Sequence, residues 1–214
     1  MSAEERRARE DLVAAARSVA DRGLSHGTTG NVSVRLAEHI LVTPTRSSLA
    51  TVEAEDLAMI DLDGRPLSEA QPSKEAFLHA AVYRNRPEAR AIVHTHSLHA
   101  TALSCLADLD PRDALPPLTA YYAMRVAALP LVDYCAPGDT RLADLAGQTA
   151  RDNAAMLLRN HGPVVAAASL SAGVDTAEEI EHTARLFLLL HGQRLAPLED
   201  HERSRLYTAQ EGKV

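Results

Sequence analysis

The apolar residues of this chain fall into runs of strand length, set between segments of helical period. Ile40-Leu41-Val42, Ala91-Ile92-Val93, Ala154-Ala155-Met156-Leu157-Leu158 and Val164-Val165-Ala166-Ala167 are such runs. Asn31-Val32-Ser33-Val34-Arg35 alternates polar and apolar as a half-buried strand does, Met59-Ile60-Asp61-Leu62-Asp63-Gly64 reads as a strand ending in a turn, and Leu129-Pro130-Leu131-Val132 adds a short strand. Helical spacing predicts helices over about 3–22, 73–86, 98–106, 138–151 and 171–190. The last carries Val174, Ala177, Ile180, Ala184, Phe187 and Leu188 on one stripe before Gly192 stops it. Pro111, Pro116 and Pro117 predict a loop. Strands interleaved with helices can bury both faces of a sheet, so the order predicts an α/β sandwich with helices on both faces of a central mixed sheet. No linker-like stretch interrupts the 214 residues, and one domain over 1–214 is expected.

Lysine and arginine number 22 against 29 aspartate and glutamate, a net charge of −7. That balance argues against nucleic acid or an anionic membrane as the main partner, and an anionic ligand would need local positive charge. Aromatic residues are 3% of the chain, so aliphatic side chains must fill the core. Cys105 and Cys135 lack paired spacing and suggest neither a disulfide framework nor a thiolate metal site. No apolar run approaches the ~20 residues of a membrane span, and Met1-Ser2-Ala3-Glu4-Glu5-Arg6-Arg7 leads into an amphipathic pattern rather than a signal segment. A cytoplasmic location is expected.

Three histidines carry the strongest chemical signal. His94-Thr95-His96 closes the Ala91 run, and on a strand residues two apart share one face, so both rings can reach one ion. His161, between Asn160 and Gly162, sits where another apolar run passes into a tight loop. Three imidazoles with an open fourth position suit a catalytic zinc, whereas a closed structural site calls for thiolates or a fourth imidazole. The pair alone also reads as two polar residues on a solvated strand face; His161 shifts the balance. Glu75, after Gln71-Pro72-Ser73-Lys74, either reaches that metal and moves protons beside it or is a first-turn carboxylate favoured by the helix dipole. His79, one turn on, is an ordinary helix-face histidine or a partner of Glu75. Gly27-Thr28-Thr29-Gly30-Asn31 can present backbone N–H groups to a phosphate or be a polar turn. Thr43-Pro44-Thr45-Arg46-Ser47-Ser48 offers a cation to an anionic substrate or is a surface loop.

In order and spacing, Gly27-Thr28-Thr29-Gly30-Asn31-Val32-Ser33, Thr43-Pro44-Thr45, Pro72-Ser73-Lys74-Glu75, His94-Thr95-His96 and Asn160-His161-Gly162 resemble the class II aldolase and adducin head-domain family over nearly the whole chain. The resemblance implies an α/β/α sandwich whose central mixed sheet is largely antiparallel. It also implies one divalent metal per subunit on His94, His96 and His161, zinc first with manganese or cobalt open, and Glu75 as neighbouring ligand and acid/base. The phosphate pocket it implies draws on Thr28, Thr29, Gly30, Asn31, Thr45 and Ser73. Arg46 and Lys74 stand where fuculose-phosphate aldolase has glycine and serine, so two cations enter the substrate pocket. The stretches 115–124 and 134–139 look like one branch, the 3-oxo-tetronate 4-phosphate decarboxylases. That branch implies loss of CO2 through a metal-stabilised enediolate to give dihydroxyacetone phosphate. Aldol cleavage of a sugar phosphate is the alternative, with a ribulose-phosphate 4-epimerase and a noncatalytic adducin-like module behind it. Tyr121 and Tyr122 fall where related aldolases place a tyrosine near an adjacent subunit's site, as proton donor or interfacial aromatic. The family further implies a homotetramer with active sites at subunit interfaces.

Overall fold

The computed structural model describes residues 1–136 and 138–211, with side chains through Leu206. Residues 137 and 212–214 of the expected domain lie outside the described residues. In chain order the elements are α1 (Ala3–Asp21), β1 (Asn31–Arg35), β2 (Ile40–Val42), β3 (Ala58–Ile60), α2 (Ala76–Asn85), β4 (Ala91–His94) and α3 (Leu98–Ser104). There follow α4 (Ala120–Arg125), β5 (Leu131–Val132), α5 (Arg141–Ala150), β6 (Ala155–Leu158), β7 (Gly162–Ala167), α6 (Leu170–Leu189) and α7 (Asp200–Glu211).

The strands form one sheet in the order β3-β2-β1-β4-β7-β6-β5, in which β5 and β6 run parallel and the other described pairs antiparallel. β4 lies at its centre and is buried throughout, which is why Ala91-Ile92-Val93 shows no polar alternation. Its side chains serve two cores: Val93 packs with residues of α1, α3 and α6, and Ile92 with residues of α2 and α5. The expected α/β sandwich with a mixed, largely antiparallel sheet is therefore the fold, each helical layer seated on one set of alternate strand residues.

Local chemistry sets the helix ends. Ser2 Oγ accepts from Glu5 N at 3.0 Å to start α1, and Ser169 Oγ accepts from Ala172 N at 3.2 Å to start α6. Two helices have no counterpart in the pattern expected from sequence. α4 has six residues, too few for a period to show, and starts where Thr119 Oγ1 accepts from Tyr122 N at 3.1 Å. α7 carries no apolar stripe for a periodicity argument to find. Helices expected from 73 and 138 begin at Ala76 and Arg141, after turns.

Candidate metal centre

β4 delivers His94 at its last residue, completely buried, and β1 begins opposite it, Asn31 pairing with His94 across the sheet. There the strand ends. His94 and His96 therefore do not share a strand face as expected: His96 lies beyond β4, and its ring reaches the same point because the chain leaves the sheet after His94. Thr95 N donates to Pro163 O at 3.2 Å, which holds this exit against the start of β7. His161 comes from the turn between β6 and β7, where Asn160 takes a left-handed φ of 55°. Register places that turn beside the end of β4, since His94 pairs with Val164.

Two glycines let these segments close. At Gly30, with φ 73°, a Cβ would lie 2.8 Å from His94 O and 2.4 Å from Ser25 Oγ. At Gly162 a Cβ would lie 2.2 Å from Thr95 O. Any side chain at either position would push against the backbone that carries the histidines.

The three Nε2 atoms converge: His94 to His96 is 3.1 Å, His96 to His161 is 3.0 Å, and His94 to His161 is 3.3 Å. Glu75 completes the group, with Oε2 at 3.3 Å from His94 Nε2 and Oε1 at 3.0 Å from His161 Nε2. A tetrahedral ion about 2.0–2.1 Å from each ligand sets those ligands roughly 3.3 Å apart, so the spacing fits one metal ion. Among the described residues this is the group of His, Cys, Asp and Glu side chains that could hold one. His94 Nδ1–H donates to Pro163 O at 2.9 Å, leaving the Nε2 lone pair for a metal. Asn31 Nδ2 donates to Glu75 Oε2 at 2.8 Å and steadies the carboxylate.

Electrostatics favour the ligating forms of Glu75 and His96, whereas a metal must displace a proton held more tightly at His94. Burial opposes charge on Glu75, but His94 and His161 outweigh it and hold its pKa well below the usual carboxylate range. Burial, with His94 and His161 beside it, pushes the His96 imidazole down to about 3, so that ring is neutral. Burial works against charge on His94 too, yet Glu75 raises its pKa above the ordinary imidazole value.

Beside the cluster an open cleft of about 250 Å³ is lined by the loop over residues 28–31, Pro44, Thr45 and Arg46, the segment 73–75, His96 and Gly138. The loops carrying Thr45 and Ser73 are tied by Thr45 N to Gln71 O at 3.0 Å and Ser73 N to Thr43 O at 3.2 Å. The residues singled out from the two N-terminal loops and the segment before Glu75 thus meet in one place. Arg46 and Lys74 are exposed, and among the described residues neither pairs with a carboxylate. A larger groove, about 520 Å³ between α1 and the start of α6, lies apart from the cluster.

The tyrosines do not join the cleft of their own chain. Tyr122 is 1% exposed in the core beneath α6, and Tyr121 is 70% exposed on α4. Sequence reasoning did not count Gly138 among the site residues, although it lies in the 134–139 stretch and opens the helix expected over 138–151; it lines the cleft. It also underweighted His79, which is completely buried. Burial and the neighbouring His94 push its pKa down to about 3.

An α/β sandwich that gathers three imidazoles and a carboxylate at the strand ends defines a class, and residues 10–188 match the Class II Aldolase and Adducin N-terminal domain; the chain belongs to that family. It is 45% identical over 195 residues to a 3-oxo-tetronate 4-phosphate decarboxylase of Haemophilus influenzae, covering 91% of this chain and 93% of that one. An L-fuculose phosphate aldolase of the same organism is 33% identical over 171 residues, 78% of this chain and 76% of its own length. The crystal structure of YgbL from Klebsiella pneumoniae superposes with a TM-score of 0.90 at 41% identity, covering 94% of this chain and 98% of that one. No helix among the described residues is long and apolar enough to cross a membrane.

Proposed function

We propose that the protein is a cytoplasmic, single-domain carbon-carbon lyase that decarboxylates 3-oxo-tetronate 4-phosphate to dihydroxyacetone phosphate and CO2. The observation that carries this reading is the cluster of Glu75 with His94, His96 and His161 beside two unpaired cations, in a chain 45% identical to a decarboxylase of that substrate. His94, His96, His161 and Glu75 hold one divalent ion, zinc first, with manganese and cobalt also suited to imidazole and carboxylate ligands. When bound, the ion supplies a Lewis acid for charge developing on the C3 oxygen as the C1–C2 bond breaks.

The chain's own groups do the rest. Thr28, Thr29, Gly30, Asn31, Thr45 and Ser73 receive the phosphate, and Arg46 adds a cation to it. Lys74 holds the carboxylate or the phosphate. A 3-oxo acid needs no base to start losing CO2, so the main task of Glu75, once substrate has displaced its carboxylate from the imidazoles that hold it ionised, is to carry a proton to C2, and the overall reaction takes up one proton. Tyr121, exposed on α4, serves a neighbouring copy in a homotetramer with active sites between subunits. The second reading is aldol cleavage of a sugar phosphate, favoured by the identity to L-fuculose phosphate aldolase.

The deciding experiment follows CO2 and dihydroxyacetone phosphate from 3-oxo-tetronate 4-phosphate with metal-loaded and chelator-stripped protein. Metal-dependent release of both products, lost by at least about 100-fold in Glu75→Gln, is expected. No release from metal-loaded wild type removes the reading and moves the test to fuculose and ribulose phosphates.

A further inference from the structure

β1 and α2 meet across a buried polar seam. Asn31 and Ser33, two residues apart on β1, both bond to residues at the α2 side, where Glu75, His79 and Tyr83 follow at four-residue spacing. Asn31 holds Glu75 as described. Ser33 Oγ lies 2.7 Å from His79 Nδ1 and 3.0 Å from Tyr83 Oη, and the Tyr83 hydroxyl donates to Ser33 O at 3.1 Å. Ser33, His79 and Tyr83 are all completely buried. The other buried residues of α2 are Ala76, Leu78, Ala80, Ala81 and Val82, small or aliphatic groups whose contacts have no preferred direction.

Apolar packing resists a small rotation of the helix less sharply than directed hydrogen bonds do, and the other polar ties of α2 lie at its far end, at Tyr83 O, Arg84, Asn85 and Arg86, so Glu75 is the residue that a rotation would displace. Side-chain ends lie roughly 5–6 Å from a helix axis, so a rotation of about 10° carries the carboxylate about 1 Å. Metal–ligand distances tolerate only ~0.2 Å. Glu75 also gets little help from its own helix, because it stands at the N-cap with φ −101° and ψ 9° and makes no capping bond with its side chain.

We infer that His79 is a positioning residue of the metal centre: bonded to Ser33, and through it to Tyr83, it fixes the rotation of α2 on β1 so that Glu75 meets the three imidazoles. The inference rests on the metal-centre reading and adds a buried residue outside the cleft.

The test reads metal binding with no substrate present. Co2+ is titrated into chelator-stripped wild type, His79→Leu, His79→Asn and Ser33→Ala, and affinity is measured by chelator competition alongside the visible absorption of the bound ion. Leucine fills the ring's space without a polar atom, while asparagine places its amide near the Nδ1 position and keeps the bond to Ser33. His79→Leu and Ser33→Ala should each weaken Co2+ binding about 10–100-fold and alter the band shape, and His79→Asn should recover most of the affinity. Circular dichroism checks folding; if His79→Leu does not fold, Ser33→Ala, which removes a single oxygen, carries the test. Native affinity and spectrum in the folded variants overturn the positioning role and leave the metal centre standing. Loss without recovery in His79→Asn overturns it as well. Wild type that binds no Co2+ overturns the metal-centre reading, and this inference with it.

Discussion

Gly162 is wedged between the segments that carry His96 and His161, and Gly162→Ala should separate them. The added Cβ would lie 2.2 Å from Thr95 O, where ordinary contact begins at 3.4 Å. The atoms it would meet, Thr95 O and C and His96 Cα, are all backbone, so the β6–β7 turn and the exit from β4 must move apart by about 1.2 Å. Metal sites tolerate distance errors of ~0.2 Å, and an affinity loss on the order of 100-fold is expected. By linkage, 100-fold is about 2.7 kcal/mol of metal-dependent stability. At roughly 2–4 °C per kcal/mol for a chain of this length, the Zn2+-induced rise in Tm should shrink by roughly 5–11 °C. Overpacking costs the stripped protein about 1–3 kcal/mol in addition, and calorimetry of stripped and Zn2+-loaded samples separates the two effects. A variant whose stripped Tm falls while its Zn2+-induced rise equals that of wild type would refute the reasoning, because the strain would then not reach the ligands.

Two further outcomes follow from the backbone and from burial. Arg46 holds φ 59°, which costs a residue with a Cβ about 1–2 kcal/mol. Arg46→Gly should raise KM for the phosphorylated substrate about tenfold without lowering Tm, and an unchanged KM would remove Arg46 from substrate binding. The His79 ring, buried and beside His94, has its pKa pushed down to about 3, so the unfolded chain takes up that proton first. Its share of stability is complete above the ordinary value of 6.5 and is lost as pH falls toward 3. Denaturant midpoints of the stripped protein should drop across that window, and His79→Asn should flatten the drop; parallel curves would contradict the assignment.

Much of the site was legible residue by residue. The ligand types, the carboxylate before α2 and the hydroxyl-rich loops are visible because their chemistry resides in the side chains. What misled was geometry beyond the elements. The two-residue period of a strand could not say that β4 stops at His94, because that end is set by pairing with β1 and β7. Tyr121 and Tyr122 are adjacent in a Pro-rich stretch, and only the formation of α4 turns one to solvent and buries the other. His79 looked like any helix-face histidine because its partner, Ser33, lies on a strand 46 positions away.

Apolar runs of strand length set between helical stripes already specify the layered α/β class, and the residue types alone name the groups able to bind a metal. These follow from local backbone preference and side-chain chemistry, which neighbours in the chain suffice to express. Only in the folded chain do Glu75, His94, His96 and His161 share one point, do Gly30 and Gly162 have to lack side chains for it to exist, and does a buried polar seam join β1 to α2 beside it. The reason is physical: convergence to a few tenths of an ångström depends on sheet register and helix rotation, and both are set by contacts between residues far apart in the chain.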